Sequence, residues 1–246
     1  MKFFQFITVM SLLLLAHGAQ AETPQEANIR KLIAPRLGEG ALIESVHKTP
    51  YSGLYEMHIG GELVYTDEEG KYLFVGRILD TKTMKDYTKA RLDDITRVKF
   101  SDLPIDDAIK TVKGNGQRVI AVFEDPNCGY CKRLKQTLEG VDNVTVYTFM
   151  YNILSPDSAT KAKNIWCTAD RSKSWGDWML RGKEASAAPA NCVTPNDKVF
   201  ALGQKLRITG TPTIFFADGT RTPGAVDAKN LEVKFAAIKS GPAAAQ

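Results

Sequence analysis

Two cysteines separated by two residues, Cys128-Gly129-Tyr130-Cys131, stand where a strand-like run gives way to a helix-like one. Val119-Ile120-Ala121-Val122-Phe123 precedes them, and Lys132-Arg133-Leu134-Lys135-Gln136-Thr137-Leu138 follows. This spacing puts both thiols in the first turn of the helix, close enough to form a disulfide. The unsatisfied N–H groups and positive dipole end of that turn favour a thiolate on the first cysteine. A thiolate beside a resolving thiol is the apparatus of thiol–disulfide exchange. Two other chemistries fail on neighbouring residues. A c-type haem site needs His directly after the second cysteine, and residue 132 is Lys. A zinc site favours a second close pair, and Cys167 and Cys192 lie far apart in the chain.

The start of the chain points to an oxidising compartment. Lys2 is followed by an apolar stretch from Phe3 to Ala16 and then by Ala19-Gln20-Ala21. A charged start, a short hydrophobic region and a small-x-small site predict a cleavable secretory signal over 1–21, with the mature chain starting at Glu22. The apolar stretch is short for a membrane span. The formal net charge is +4 and falls by one with Lys2. That balance is too mild to argue for nucleic acid or a membrane surface.

All four cysteines lie in the predicted mature chain. Three pairings are possible. Pairing 128 with 131 and 167 with 192 is favoured because the first pair has exchange spacing. The second pair then closes a loop across a helical segment. Such a loop is worth on the order of 3 kcal/mol in the chain-entropy model, which favours a structural role for Cys167 and Cys192.

The pattern divides near residues 81–100. Thr23-Pro24-Gln25-Glu26 has capping-box spacing with Pro at the first helical position. Ile29, Leu32 and Ile33 give this helix one apolar face, and Pro35 and Gly38 should end it. Strand-like runs follow at Leu42 to Val46, Leu54 to Ile59, Glu62 to Tyr65 and Tyr72 to Val75, with Gly60-Gly61 as a hairpin signal. A sheet this small with one helix, over residues 22–80, buries little core alone. Thr83 to Val98 reads as a connecting helix within a linker over 81–100.

Residues 101–240 form the larger predicted domain. Pro104 should open a helix with Ile105, Ala108, Ile109 and Val112 at helical spacing, ended by Lys113-Gly114-Asn115-Gly116. After the cysteine helix, which buries Cys131, Leu134 and Leu138 and leaves Cys128 at its exposed end, Val144 to Met150 reads as a strand. Asp157 to Glu184 reads as helical, with Trp166, Trp175 and Trp178 in the core. Val199, Leu202 and Leu206 mark another helix. Gly210-Thr211-Pro212-Thr213-Ile214-Phe215-Phe216 opens a strand, turned back at Asp218-Gly219. Asp227 can cap a last helix carrying Leu231, Phe235 and Ile238.

Phe123-Glu124-Asp125-Pro126-Asn127 leading into the two cysteines, Ile165-Trp166-Cys167 in a helical insertion, and Gly210-Thr211-Pro212 resemble the DsbC family of periplasmic disulfide isomerases. The resemblance covers essentially the whole predicted mature chain. It implies an α+β protein: a thioredoxin-like domain with a helical insertion, preceded by a small cystatin-like dimerisation domain and a helical linker. It also implies a V-shaped homodimer whose two redox sites face a shared cleft. The related DsbG proteins carry Pro where this chain has Gly129, which weighs toward DsbC. By the same resemblance Cys128 and Cys131 are the catalytic pair, Pro212 is the cis-proline, and Gly129, Tyr130 and Thr211 line the site. A cis bond would let the backbone of Thr211 face the disulfide and pair with an extended substrate.

Typical thioredoxins carry a buried Asp six residues before the first cysteine. That position is Val122, so this proton-handling group is expected to be missing. The helix terminus, Lys132 and Arg133 should favour a thiolate on Cys128, with Glu124 and Asp125 expected in solvent. Tyr130 either tunes the site through packing and its hydroxyl or fills space beside the helix. The implied activity is isomerisation or reduction of wrong disulfides in misoxidised or unfolded secreted proteins, in the periplasm. It needs no metal or organic cofactor. A membrane reductase of the DsbD type would keep the site reduced, and chaperoning is an allowed second activity. The alternatives are a DsbG-like holdase chaperone or sulfenic-acid reductase, and a dithiol oxidase.

Overall fold

The structure, a computed structural model, describes residues 22–240 apart from 39 and 52. The predicted signal over 1–21 lies outside the described residues. The chain divides into two compact units, with the division after Arg77.

The first unit is one helix packed on a four-stranded antiparallel sheet. Helix α1 (Pro24–Ile33) starts with the predicted capping box. The Thr23 hydroxyl accepts from the backbone N–H of Glu26, whose carboxylate accepts from the backbone N–H of Thr23 at 2.7 Å. Pro35 does not end the helix abruptly. The chain tightens into a 3-10 turn over Ala34–Arg36 before it leaves. Strands β1 (Ile43–Lys48), β2 (Tyr55–Ile59), β3 (Glu62–Thr66) and β4 (Leu73–Val75) pair in chain order. Gly60 and Gly61 both have positive φ, which the tight turn between β2 and β3 requires. Ile29, Ile33, Val46, Tyr55 and Met57 form the core between helix and sheet. All three residues of β4 are exposed.

The second unit begins with a turn held by the Asp80 carboxylate, which accepts from the N–H groups of Lys82 and Thr83. Helix α2 (Tyr87–Ile95) is shorter than the expected 83–98. Asp86 caps it, accepting from Lys89 N–H at 2.8 Å, so residues 83–86 serve the turn and cap instead. Past the helix, Val98 donates its N–H to the Gly219 carbonyl and joins the rest of the unit.

The helix expected from Pro104 does not form. Ile105–Asp107 makes one 3-10 turn, and Ile109–Lys113 is strand β5. The β-branched residues Ile109, Thr111 and Val112 suit a strand, and β7 offers an edge on which they pair antiparallel. Strand β6 (Arg118–Glu124) runs into helix α3 (Gly129–Glu139), which is followed by strand β7 (Val144–Met150). The single helical stretch expected over 157–184 is two helices, α4 (Pro156–Trp166) and α5 (Arg171–Arg181). Asp170 breaks the run by capping α5, accepting from Lys173 N–H at 2.9 Å, while Arg171 Nε donates to the Trp166 carbonyl. Helix α6 (Asn196–Lys205), strands β8 (Thr213–Phe216) and β9 (Arg221–Pro223) and helix α7 (Ala228–Ser240) complete the unit. Asp227 accepts from Asn230 N–H at the start of α7.

The sheet order is β5-β7-β6-β8-β9, with β6 and β7 parallel and the other neighbours antiparallel. Alternation along β6 sorts its side chains. Ile120 and Val122 pack with Leu134 and Leu138 of α3 and Leu231 and Phe235 of α7. Ala121 and Phe123 face the other way, onto Phe149, Tyr151, Phe215 and Val199 of α6. A third cluster joins α3, α4 and α5 through Cys131, Met150, Ile165, Trp166 and Trp175. Trp178 is only half-buried, its ring lying between the ammonium groups of Lys132 and Lys161. No helix among the described residues is long and apolar enough to cross a membrane.

Candidate active site

The turn from β6 into α3 is built by a buried carboxylate. Asp125, fully enclosed, accepts four hydrogen bonds. Asn127 N–H and the Ser158 hydroxyl reach Oδ1, both at 2.8 Å. Ile153 and Leu154 N–H reach Oδ2 at 2.8 and 3.0 Å. The turn is held from the insertion as well. Asn127 donates to Ser155 and Ser158 and accepts from Lys161, and Trp178 Nε1 donates to the Pro126 carbonyl at 2.6 Å. The helical insertion thus grips the loop that presents the cysteines.

Cys128 is the N-cap of α3, with extended backbone. Its Sγ accepts the Cys131 N–H at 3.3 Å, one of the orphan donors of the first turn. Its thiol donates to the Thr211 carbonyl at 3.2 Å. The Thr211–Pro212 peptide bond is cis. Cys128 was expected at an exposed helix end, yet only 4% of it is exposed, because the Thr211–Pro212 turn covers it. Cys131, one turn inside, is fully buried, and both thiols are free. Burial first, and then the charge of Glu124, pushes the Cys131 thiol well above the ordinary range.

The lining residues differ in character. Tyr130 stands largely in solvent, with the Arg133 guanidinium 5.4 Å from its ring centre. Lys132 is turned to Trp178 rather than to the thiols. A β-carbon on Gly129 would meet no atom within 4 Å, so packing does not demand glycine there. Beside the thiols, a groove of about 500 Å³ is lined by Tyr130, Arg133, Thr137, Thr211, Val226 and Asp227. Cys167 and Cys192 are joined in a disulfide, with Cα atoms 6.2 Å apart.

Glu124 and Asp125 were expected in solvent, and both are buried. Asp125 is taken by its four donors. Glu124 lies on the α3 side of β6, where burial lifts its carboxyl to about 7 against the opposing pull of Lys135 and Thr148. Val122 does leave the expected acid position empty, but Glu124 brings a buried carboxyl to the same face two residues later. The signal was present in the sequence: the strand alternation through Ile120 and Val122 continues to 124.

Residues 105–239 match the family described as a thioredoxin-like domain, and residues 20–89 match the disulfide bond isomerase protein N-terminal domain. A probable thiol:disulfide interchange protein DsbC of Bordetella pertussis is 49% identical over 217 residues, spanning 88% of this chain and 76% of its own. The thiol:disulfide interchange protein DsbC of Dickeya dadantii is 30% identical, spanning 96% of this chain and 98% of its own. The crystal structure of a disulfide interchange protein from Neisseria gonorrhoeae is 41% identical over 55% of this chain and 97% of its own, with a TM-score of 0.50. With a thioredoxin-like domain, an N-terminal isomerase domain and this level of identity, the chain belongs to the DsbC family of thiol:disulfide interchange proteins.

Proposed function

We propose that the protein is a periplasmic disulfide isomerase in which Cys128 is the attacking sulfur and Cys131 the resolving one. The observation that carries this reading is the placement of Cys128 Sγ. It caps α3, faces the Thr211 carbonyl, and has the free thiol of Cys131 buried behind it. Deprotonated Cys128 attacks a wrong disulfide in a misoxidised or unfolded secreted protein. One substrate sulfur leaves as thiolate and the other stays bonded to Cys128. The freed thiolate attacks elsewhere in the client, and a client sulfur finally displaces Cys128. That round is isomerisation, and the enzyme ends as it began. If the client stalls, Cys131 attacks Cys128, the client leaves reduced, and the enzyme keeps the disulfide. A membrane reductase of the DsbD type then restores the dithiol.

Client binding uses the groove beside Tyr130 and the backbone at Thr211, where an extended chain can pair with the segment that leads into β8. The N-terminal unit makes the homodimer, whose cleft holds unfolded chains and lends chaperone activity. Reactivation of scrambled ribonuclease tests the reading. Wild type should restore activity and Cys128→Ala should not. Retention of activity in Cys128→Ala would remove the assignment. Trapping of thiols in fresh periplasm separates isomerase from dithiol oxidase, since the isomerase rests mostly reduced.

A further inference from the structure

Ile120, Val122 and Glu124 share the face of β6 that α3 covers. Glu124 ends this row beneath the first turns of the helix, and 1% of it is exposed. Its Oε2 accepts the Thr148 hydroxyl from β7 at 3.2 Å. Its Oε1 is enclosed and has no hydrogen-bond partner. The indole N–H of Trp175 on α5, equally enclosed, is turned toward the carboxyl without closing a bond. Lys135 of α3 acts on the carboxyl as a cation and is also paired with Glu139 at 3.7 Å. Cys131, one turn before Lys135, is fully buried and feels the charge of Glu124. Cys128 also faces this compartment. Thiol and carboxyl are therefore enclosed together by β6, β7, α3 and α5.

We propose that Glu124 exchanges a proton with Cys131 in the step that resolves the mixed disulfide. This rests on the exchange roles proposed for Cys128 and Cys131. A thiol this buried does not wait as a thiolate, so a base must take its proton as the sulfur attacks. Glu124 is held by burial at about 7, where a carboxyl both accepts and returns protons near neutral pH. In the forward step the Cys131 proton passes to Glu124, and Cys131 sulfur bonds to Cys128 sulfur. The bond from Cys128 to the client breaks, and the electron pair leaves on the client thiolate. The client sulfur is reduced and the cysteine pair is oxidised. In reverse, a reductant's thiolate attacks Cys128, and protonated Glu124 returns its proton to the departing Cys131. Isomerisation, where a client sulfur displaces Cys128, draws no proton from Cys131. Glu124 thus sets how often a bound client escapes reduced rather than reshuffled.

The test uses the full reduced protein and one equivalent of an aromatic disulfide, dithiobis-nitrobenzoate, in stopped flow. The first nitrothiophenolate released reports attack by Cys128, and the second reports resolution by Cys131. A missing first release in wild type would defeat the site reading itself, separately from Glu124. We expect Glu124→Gln to keep the first release and slow the second by about tenfold or more. The second release should also lose its rise between about pH 6 and 8, centred on the carboxyl near 7. Glu124→Asp should recover part of the rate and the pH dependence. A second release at wild-type rate and profile in Glu124→Gln overturns the proposal. Equal slowing of both releases overturns it as well, since a merely structural role acts on both. Should Glu124→Gln not fold, wild type alone decides: a second release that is flat with pH overturns the proposal, and a rise centred near 7 supports it.

Discussion

Ser158 donates its hydroxyl to Asp125 at 2.8 Å and so ties the first turn of α4 to the turn that presents Cys128. The same carboxylate holds Ile153 and Leu154 by their N–H groups, so one buried side chain fastens three segments. Removing it strands these donors away from water, at about 1–3 kcal/mol for each one left unsatisfied. Asp125→Ala should therefore lower stability by about 3 kcal/mol or more, read as a drop in the thermal midpoint. Asp125→Asn keeps the shape and should cost less. An Asp125→Ala protein melting with wild type would show that the loop does not depend on this carboxylate.

Cys131→Ala keeps the sulfur proposed to attack and removes the one proposed to resolve. It should accumulate mixed disulfides with clients, visible as reducible high-mass bands on non-reducing gels. The Cys128→Ala,Cys131→Ala double variant should give none. Such bands in the double variant would assign the trapping to Cys167 or Cys192 instead.

Burial of Glu124 makes stability depend on pH with a defined sign. Its folded pKa, about 7, lies above the unfolded value of 4.5, so folding favours the protonated form. The contribution is fully present below the unfolded value and is lost as pH rises through about 7. Wild type should lose up to about 3 kcal/mol between about pH 4.5 and 8, and Glu124→Gln should lose little over the same range. Urea melts at both pH values for the two proteins measure this. Parallel losses would mean that the carboxyl is solvated.

The placement of the site residues was more legible than their depth. Cysteine spacing between a strand and a helix placed both thiols on the first turn of α3, and Thr211-Pro212 could be named from its pattern. What could not be read was how far the surrounding chain closes over them. Cys128 looked exposed because a helix start is usually open, and the covering turn comes from 83 positions later. Glu124 and Asp125 looked solvated because charge normally is. Their burial depends on Thr148, Ser158 and two backbone N–H groups that only the fold brings near. Strand β5 is hidden in the sequence because Ile105, Ala108, Ile109 and Val112 also satisfy helical spacing. The edge of β7 decides for a strand, and local pattern does not contain that edge.

The disulfide between Cys167 and Cys192 ties the C-terminal end of α4, in the insertion that grips the Cys128 turn, to the loop after α5. Replacing both by Ala should cost about 3 kcal/mol by releasing a closed loop in the unfolded chain. Thiol exchange at Cys128 should persist in the folded fraction. Urea melts together with nitrothiophenolate release measure the two effects. Loss of exchange in folded protein would give this pair a direct part in the chemistry.

The first unit ends in a strand that invites a partner. Strand β4 pairs with β3 on one side and is the last strand of the described sheet. Tyr72, Leu73, Phe74 and Val75 are all about half exposed or more, an apolar run on an open edge. Leaving that edge in water is unfavourable. Pairing it with the same edge of a second copy would satisfy its backbone groups and cover its side chains in one isologous contact. The full chain should therefore sediment as a dimer. A chain starting at Ile78 keeps the hydrogen bonds from Tyr87 N–H to the Ile78 carbonyl and from Ile78 N–H to the Thr88 hydroxyl and retains the whole second core, so it should fold as a redox-active monomer. That monomer should reduce small disulfides at the wild-type rate yet isomerise scrambled ribonuclease poorly, because the client binding proposed above uses both copies. A monomeric full chain, or a dimeric shortened one, would show that β4 is not the seam.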